Sequence, residues 1–161
     1  MNKISEREYY LKPGYIYLTR EPRIVYTVLG SCLMVCLWDK RKRYAGCCHY
    51  RYPVAKLRKD YTGEYGNIAI PGMIKYLKEF GSHITDLEAM LFGGADIMTN
   101  SGVGEKNVEI AKKILKKMKI SIVSEDTGGR LGRKIIYHTY TNQAIVYKVQ
   151  RIRKEDWYPY S

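Results

Sequence analysis

Two residues that could do covalent chemistry stand close together in the first third of the chain. Cys32 follows a Gly30-Ser31 corner at the head of an apolar run, and His49 lies in a second apolar run beyond a polar turn. An imidazole beside a thiol can take its proton, hold the thiolate as an ion pair and later protonate a leaving amine. The pair therefore predicts cysteine-dependent acyl transfer, provided that the fold brings the two side chains together.

A β-hairpin would bring them together. The two apolar runs are typical of strands, joined by the polar turn at residues 39–42. A four-residue loop pairs Trp38 with Arg43, and counting back places Cys32 opposite His49, with Cβ atoms about 4.5–5.5 Å apart. A slip of one residue would send the two side chains to opposite faces of the sheet, so the hypothesis depends on the register.

Further groups could complete such a site. Thr27 precedes the glycine corner and could orient the imidazole through its hydroxyl, although a neutral partner stabilises an imidazolium less than a carboxylate does. Backbone N–H groups at Gly30 and Ser31 could hold an oxyanion. His138 is the rival base, and a buried, unreactive thiol is the alternative interpretation of Cys32 itself.

The cysteines also suggest a metal site, which their spacing disfavours. Cys32, Cys36, Cys47 and Cys48 fall within seventeen residues, and together with His49 they resemble a zinc ligand set. Residues 32 and 36 would be separated by four strand rises of about 3.3 Å, too far for one tetrahedral ion. Cys47 and Cys48 would point to opposite faces. No metal site is therefore expected, and no disulfide is required.

Apolar and tyrosine-rich runs predict an α+β fold. Strands are predicted at about 14–19, 24–29, 32–38, 44–50, 87–92, 120–125, 134–140 and 144–149. Apolar residues at spacings of three and four predict one helix from Asn67, its expected N-cap, to a stop at Gly81, and a second helix at 105–118. We expect one domain over residues 1–161, in which 151–161 form a C-terminal extension.

The composition is that of a globular protein, with 45% hydrophobic and 27% charged residues. The longest apolar run is too short to span a bilayer and no apolar leader opens the chain, so we expect a cytoplasmic protein without membrane insertion. The net charge of +12 implies an acidic partner. The second predicted helix carries the basic residues best placed to attract one, Lys112, Lys113, Lys116 and Lys117.

Six blocks of sequence carry a resemblance. They are TVLGSCLMVCLWD, HYRYP, YGNIAI, FGGAD, GVGEKN and EDTGGRLGRK, in that order between about residue 12 and residue 149. Together they resemble the CheD family of chemoreceptor glutamine deamidases. Arg51 and Tyr52 depart from the apolar pair that usually follows the family's histidine, and Cys47-Cys48 replaces residues that are generally small or polar.

The resemblance implies both an activity and a fold. The activity is hydrolysis of glutamine side-chain amides in the cytoplasmic helices of methyl-accepting chemotaxis receptors, giving glutamate and ammonia without a cofactor. Cys32 corresponds to the family's nucleophile, His49 to its base and Thr27 to its third member. The implied fold is a layered α/β/β/α sandwich, similar to the catalytic domains of certain deamidating bacterial toxins. In the last glycine-rich block, Arg130 and Arg133 are predicted to be solvated.

Two other functions stay open at this point. The same resemblance allows a non-catalytic chemotaxis adaptor that binds receptor or a CheC-type phosphatase. The positive charge and the sixteen tyrosines also allow a basic nucleic-acid-binding domain, although the chain has no recognisable nucleic-acid motif, so no nucleic-acid partner is expected.

Overall fold

The computed structural model describes residues 7–96 and 101–156, whose nine strands form two sheets. The strands are β1 (Arg7–Tyr10), β2 (Ile16–Thr19), β3 (Arg23–Leu29), β4 (Leu33–Asp39), β5 (Ala45–Tyr50), β6 (Leu87–Gly93), β7 (Ser121–Thr127), β8 (Gly132–His138) and β9 (Gln143–Val149). One sheet has four strands in the order β1-β3-β8-β9, and the other has five in the order β2-β5-β4-β6-β7. β1 and β3 run parallel, as do β6 and β7.

The two sheets stack face to face because each has one apolar inner face. Alternate residues of the central strands point into a shared buried cluster that includes Val25, Leu29, Met34, Cys36, Cys47, Met90, Phe92, Ile135 and Tyr137. Burial of each large apolar side chain contributes about 1.5–3 kcal/mol. This inter-sheet core therefore gives the strands around Cys32 and His49 a rigid setting.

Two α-helices cover the other face of the five-stranded sheet. They are α1 (Gly66–Phe80) and α2 (Val103–Lys117). Their apolar stripes meet the sheet in a second buried cluster that includes Leu33, Val35, Leu37, Tyr50, Ile70, Met73, Leu77, Leu91, Ala111 and Leu115. Short 3-10 helices lie at Arg58–Asp60, Ile84–Asp86 and Lys154–Asp156. Within the described ranges, no helix has the length and apolar character needed to cross a membrane.

The predicted α+β class is confirmed, and all eight predicted strands and both helices are present within two residues of their predicted ends. β1 is not predicted from the sequence; it is a half-exposed strand that pairs with β3. The described residues give three layers, helix, sheet and sheet, and supply no second helical layer. Of the predicted C-terminal extension, residues 157–161 lie outside the described residues.

The predicted N-cap of α1 is wrong. Tyr65 occupies the cap position without a side-chain hydrogen bond, and Asn67 lies in the first helical turn. The Asn67 amide instead bonds the backbone N–H and carbonyl of Ala55. At the other end, Gly81 terminates α1 as predicted, with φ +110°, a conformation that residues with a Cβ rarely adopt.

The predicted register of the β4–β5 hairpin is also wrong. Trp38 pairs with Ala45 rather than with Arg43. The pairing is therefore displaced by two residues along the whole hairpin. As a result, His49 lies directly opposite Met34 and not opposite the cysteine.

The turn explains the displacement. The Asp39 side chain accepts hydrogen bonds from the backbone N–H groups of Arg41 and Lys42, each at 2.9 Å, and Arg43 adopts φ +62°. The turn therefore takes up more of the chain than the predicted four residues, and the pairing partner of Trp38 moves from Arg43 to Ala45. Because the displacement is by an even number of residues, every side chain keeps its predicted face, Cys32 included.

Candidate active site

Cys32 lies where the chain crosses from one sheet to the other. β3 ends at Leu29 in the four-stranded sheet, and β4 begins at Leu33 in the five-stranded sheet. Gly30, Ser31 and Cys32 make the corner between them. The thiol packs against the inter-sheet core but is only partly buried, so it lies at the edge of that core.

The carbonyl groups of this corner are all held by other parts of the chain. The bonds run from Ala95 N to Gly30 O (3.0 Å), from Asn107 Nδ2 to Ser31 O (2.9 Å) and from Gly94 N to Cys32 O (2.8 Å). By contrast, the Ser31 N–H donates to no backbone acceptor among the described residues, and the Cys32 N–H bonds the thiol of its own residue, which favours the thiolate. A corner with fixed carbonyls and backbone N–H groups beside a thiol can stabilise a developing oxyanion.

The first glycine of the FGGAD block allows this close packing. Gly93 adopts φ +106°, and a Cβ at this position would collide with the Cys32 carbonyl oxygen. A side chain there would push directly against the backbone of the cysteine. The block therefore supports the corner that carries Cys32.

His49 lies on β5 and is almost completely buried, and its ring contacts Thr27. The distance from His49 Nδ1 to Thr27 Oγ1 is 2.9 Å. The Thr27 hydroxyl also donates to the Leu11 carbonyl at 2.7 Å. Because a hydroxyl has one hydrogen, Thr27 must accept the bond from His49, so the neutral ring carries its proton on Nδ1. Nε2 is then the atom that can act as a base.

Cys32 and His49 share a face of the five-stranded sheet. His49 faces Met34, which lies two residues along from Cys32, so the thiol and the imidazole are diagonal neighbours rather than direct opposites. Diagonal Cα atoms lie about 7–8 Å apart, within reach of side chains that lean towards each other. The structure thus brings Cys32, His49 and Thr27 to one end of the inter-sheet core.

Burial keeps both reactive groups uncharged at rest. Desolvation raises the pKa of the Cys32 thiol to about 11, and the nearby Arg51 guanidinium offsets only part of this effect. Desolvation lowers the pKa of the His49 imidazole to about 4, against a hydrogen bond to the Leu11 carbonyl that favours the protonated ring. Burial therefore disfavours the thiolate–imidazolium pair expected from the sequence. Proton transfer has to accompany the attack itself.

The rim beside Cys32 carries charge. Arg51 and Glu64 form an ion pair of 3.5 Å with both side chains nearly half exposed, at 48% and 44%. Their charges shift the pKa of the thiol in opposite directions, Arg51 downward and Glu64 upward. Arg51 departs from the apolar residue that the resemblance implies at this position, so the surface beside Cys32 is charged where an apolar one is expected.

The remaining cysteines and the rival histidine lie elsewhere. Cys36 and Cys47 face each other across β4 and β5 with 3.7 Å between their sulfur atoms, deep in the inter-sheet core. Cys48 points to the helix-covered face, as its predicted alternation requires. His138 pairs with a β3 residue on the face turned away from the inter-sheet core, so it is not beside Cys32.

Two buried residues near the site are missed from the sequence. Arg133 is 3% exposed, so the prediction that it is solvated is wrong, whereas Arg130 is exposed as expected. Arg133 bonds the Asp126 carboxylate and the Gly128 carbonyl, which fixes the loop before β8. Asn107 is completely buried under the corner. Both residues lie in the glycine-rich blocks, which is the one signal that could have indicated them.

The buried neutral imidazole makes stability depend on pH. The folded-state pKa of His49, about 4, lies below the ordinary value of 6.5, so the unfolded chain binds a proton first as the pH falls. The stability from this residue is complete above about pH 6.5 and is lost progressively towards pH 4. Going from pH 7 to pH 5 should therefore lower the free energy of unfolding by about 2 kcal/mol through His49.

Urea unfolding of the wild-type protein and of His49→Gln at both pH values measures this contribution. We expect the acid-induced loss to be smaller in His49→Gln by about the same 2 kcal/mol. An equal loss in the two proteins would contradict a neutral, buried imidazole.

Comparisons with known proteins give a consistent result. The family model for CheD chemotactic sensory transduction matches residues 53–148. The "Probable chemoreceptor glutamine deamidase CheD" of Trichlorobacter lovleyi is 37% identical over 144 residues, covering 87% of this chain and 89% of that protein. The protein of the same description from Sulfurimonas denitrificans is 36% identical over 147 residues, covering 88% and 94%. The "Chemoreceptor glutamine deamidase CheD" of Thermotoga maritima is 33% identical over 139 residues, covering 84% and 88%.

Proposed function

This chain belongs to the CheD family, and on that premise we propose that it is a chemoreceptor glutamine deamidase whose catalytic residues are Cys32, His49 and Thr27. The reaction converts glutamine side chains of chemoreceptors into glutamate and releases ammonia. The family model matches from residue 53 onward, so the roles of these three residues rest on the resemblance of the earlier sequence blocks together with the geometry. The observation that supports them is the Thr27–His49 hydrogen bond, which orients the imidazole on the face of the five-stranded sheet that His49 shares with Cys32.

The first half of the reaction forms a thioester. The Cys32 sulfur attacks the carboxamide carbon of the substrate glutamine while His49 Nε2 takes the thiol proton. The tetrahedral intermediate then breaks its carbon–nitrogen bond, and the imidazolium returns the proton to the nitrogen, which leaves as ammonia. Thr27 holds the ring in the tautomer that this transfer needs.

The second half regenerates the thiol. His49 removes a proton from water, whose oxygen attacks the thioester carbon, and the sulfur leaves with the proton that the imidazolium returns. The products are glutamate and the free Cys32 thiol, so atoms and charge balance without a cofactor. In both halves we place the oxyanion at backbone N–H groups of the Gly30-Ser31 corner.

Charge is proposed to guide the encounter with the receptor. The chain carries +12, and the lysines of α2 lie on its exposed side, although Lys112 also bonds Glu125 at 3.1 Å. A receptor segment rich in carboxylates would be attracted, and the attraction would weaken with salt because the Debye length is about 8 Å at 0.15 M. The receptor glutamines face the cytoplasm, so we place the protein there.

Two finer parts of the sequence-based interpretation remain proposals. One is a complex with a CheC-type phosphatase, which a protein lacking the Cys32 thiol would still form. The other is the α/β/β/α sandwich with its likeness to deamidating toxins. The three described layers are compatible with it.

Ammonia release tests the function. The purified protein is incubated with a receptor cytoplasmic fragment, and with a matched fragment in which every glutamine has been replaced by glutamate. We expect ammonia from the first fragment and none from the second. The absence of ammonia from every receptor fragment tried, with binding intact, would favour the adaptor instead.

Thr27→Val should slow the reaction about tenfold, because valine keeps the shape of threonine but cannot accept the Nδ1 proton of His49. The loss is expected in kcat with little change in KM, since Thr27 is buried and does not meet the substrate. Thr27→Ser keeps the hydroxyl and should retain most of the activity. Equal losses in the valine and serine variants would show that the hydroxyl has no such role.

A further inference from the structure

One buried asparagine bonds both segments that carry the proposed nucleophile and base. Asn107 lies in α2, and its Nδ2 donates to the carbonyls of Ser31 and Arg51, each at 2.9 Å. Ser31 immediately precedes Cys32, and Arg51 follows His49 by two residues. The two hydrogens of one amide therefore tie the corner of the nucleophile to the end of the strand that carries the base.

The backbone around Asn107 makes further attachments to the same two segments. Tyr50, next to His49 on β5, donates its hydroxyl to the Asn107 carbonyl at 2.5 Å. Gly104, one turn earlier in α2, packs against the loop that follows β6, since a Cβ there would collide with the Ala95 carbonyl oxygen. The start of α2 is therefore fixed against β5 and against the loop that holds the corner.

The position of the Asn107 amide lowers the stability of the fold. Its Oδ1 atom is buried and has no hydrogen-bond partner in the part of the chain that the structure describes. A buried polar atom without a partner lowers stability, and an apolar residue of similar size would avoid that cost. A buried side chain that leaves one polar atom without a hydrogen bond while bridging two reactive segments is typical of a functional site.

We propose that Asn107 is a positioning residue that sets the distance and angle between the Cys32 thiol and the His49 imidazole. Among the described residues its amide N–H groups bond neither of these groups, and it acts through the two carbonyls. Proton transfer between thiol and imidazole requires hydrogen-bond geometry, and a displacement of about 1 Å can cost about 100-fold in rate. The consequence for turnover rests on the proposed function, whereas the consequence for thiol reactivity does not.

Asn107→Leu tests the proposal, because leucine has a similar size but donates no hydrogen bond. The matched control is Asn67→Leu, since the Asn67 amide also makes two bonds to backbone, both to Ala55, from the other helix. For Asn107→Leu we expect kcat on a receptor fragment to fall more than about tenfold with KM little changed. The rate at which iodoacetamide alkylates Cys32 should fall as well. Asn67→Leu should be less stable but unchanged in both rates.

If Asn107→Leu does not fold, Asn107→Asp tests the positioning role instead. In Asn107→Asp, burial beside two carbonyls raises the pKa of the new carboxyl, so it stays protonated at neutral pH and keeps one donor. Its kcat and alkylation rate should lie between those of the wild-type protein and those expected for the donor-free variant. Wild-type rates in a folded Asn107→Leu or Asn107→Asp protein, or equal losses in Asn67→Leu, would overturn the proposal.

The two proposals fail separately. If the wild-type protein deamidates no receptor fragment, the proposed function is wrong, yet the alkylation rates of Cys32 in the same variants still decide whether Asn107 positions the thiol. If the wild-type protein deamidates receptors and Asn107→Leu does so equally well, only the positioning role is wrong.

Discussion

Cys32→Ala should reduce deamidation of receptor glutamines by about 10⁴-fold or more, because the thioester of the proposed mechanism forms on this sulfur. The substitution removes one partly exposed sulfur atom, so the fold should be retained. The measurement is the rate of ammonia release at saturating receptor fragment, together with a thermal unfolding curve. Loss of activity in a protein that unfolds at the wild-type temperature would identify the sulfur as chemically essential.

Cys36→Ala is the matched control. Cys36 lies in the strand that follows Cys32 and on the same face, but its side chain is buried in the inter-sheet core. Its loss should cost about 1 kcal/mol of packing and leave kcat unchanged. Full activity in Cys32→Ala would contradict the mechanism, and so would equal inactivation by both substitutions.

His49→Gln should lower kcat by about 10²- to 10⁴-fold, the usual contribution of a positioned general base. The effect is large because the pKa of the Cys32 thiol, about 11, leaves almost no thiolate at neutral pH without a base to take the proton. Glutamine can still meet the Thr27 hydroxyl but cannot carry the proton to ammonia. Both the formation and the hydrolysis of the thioester should therefore slow.

His138→Gln serves as the control for this prediction. His138 lies on the opposite face of the other sheet, so its replacement should leave kcat within about twofold of the wild-type value. Loss of activity in His138→Gln, with His49→Gln still active, would move the base to the rival histidine. The kinetics of the two variants therefore assign the base by experiment.

Local pattern predicts most of the framework of the site. The alternation of apolar residues along 32–38 and 44–50 fixes which side chains share a face, and that information survives the wrong register because the displacement is even. Residue types and spacing therefore place Cys32 and His49 on one face, whereas Thr27, on a strand of the other sheet, is assigned from the family resemblance. The glycine corner is also informative, since a crossing between two sheets requires a sharp change of direction.

Other features depend on contacts that residue type and apolar alternation do not specify. The register of the β4–β5 hairpin is set by Asp39 in the turn, whose carboxylate accepts hydrogen bonds from two backbone N–H groups. The neutral state of the thiol and the imidazole follows from burial between two sheets, and sequence alone does not give burial depth. Asn107 and Arg133 act on residues 76 and 5 positions away through backbone carbonyls, a type of contact without a residue-type signature.

Isotopic labelling of the product tests the central claim most directly. A receptor cytoplasmic fragment is incubated in isotopically labelled water with the wild-type protein or with Cys32→Ala, and peptide mass spectrometry then locates each converted glutamine. The mechanism predicts glutamates that carry one labelled oxygen, at specific positions, with the wild-type protein only. Conversion that is equally fast with Cys32→Ala, or no conversion by the wild-type protein, would contradict it.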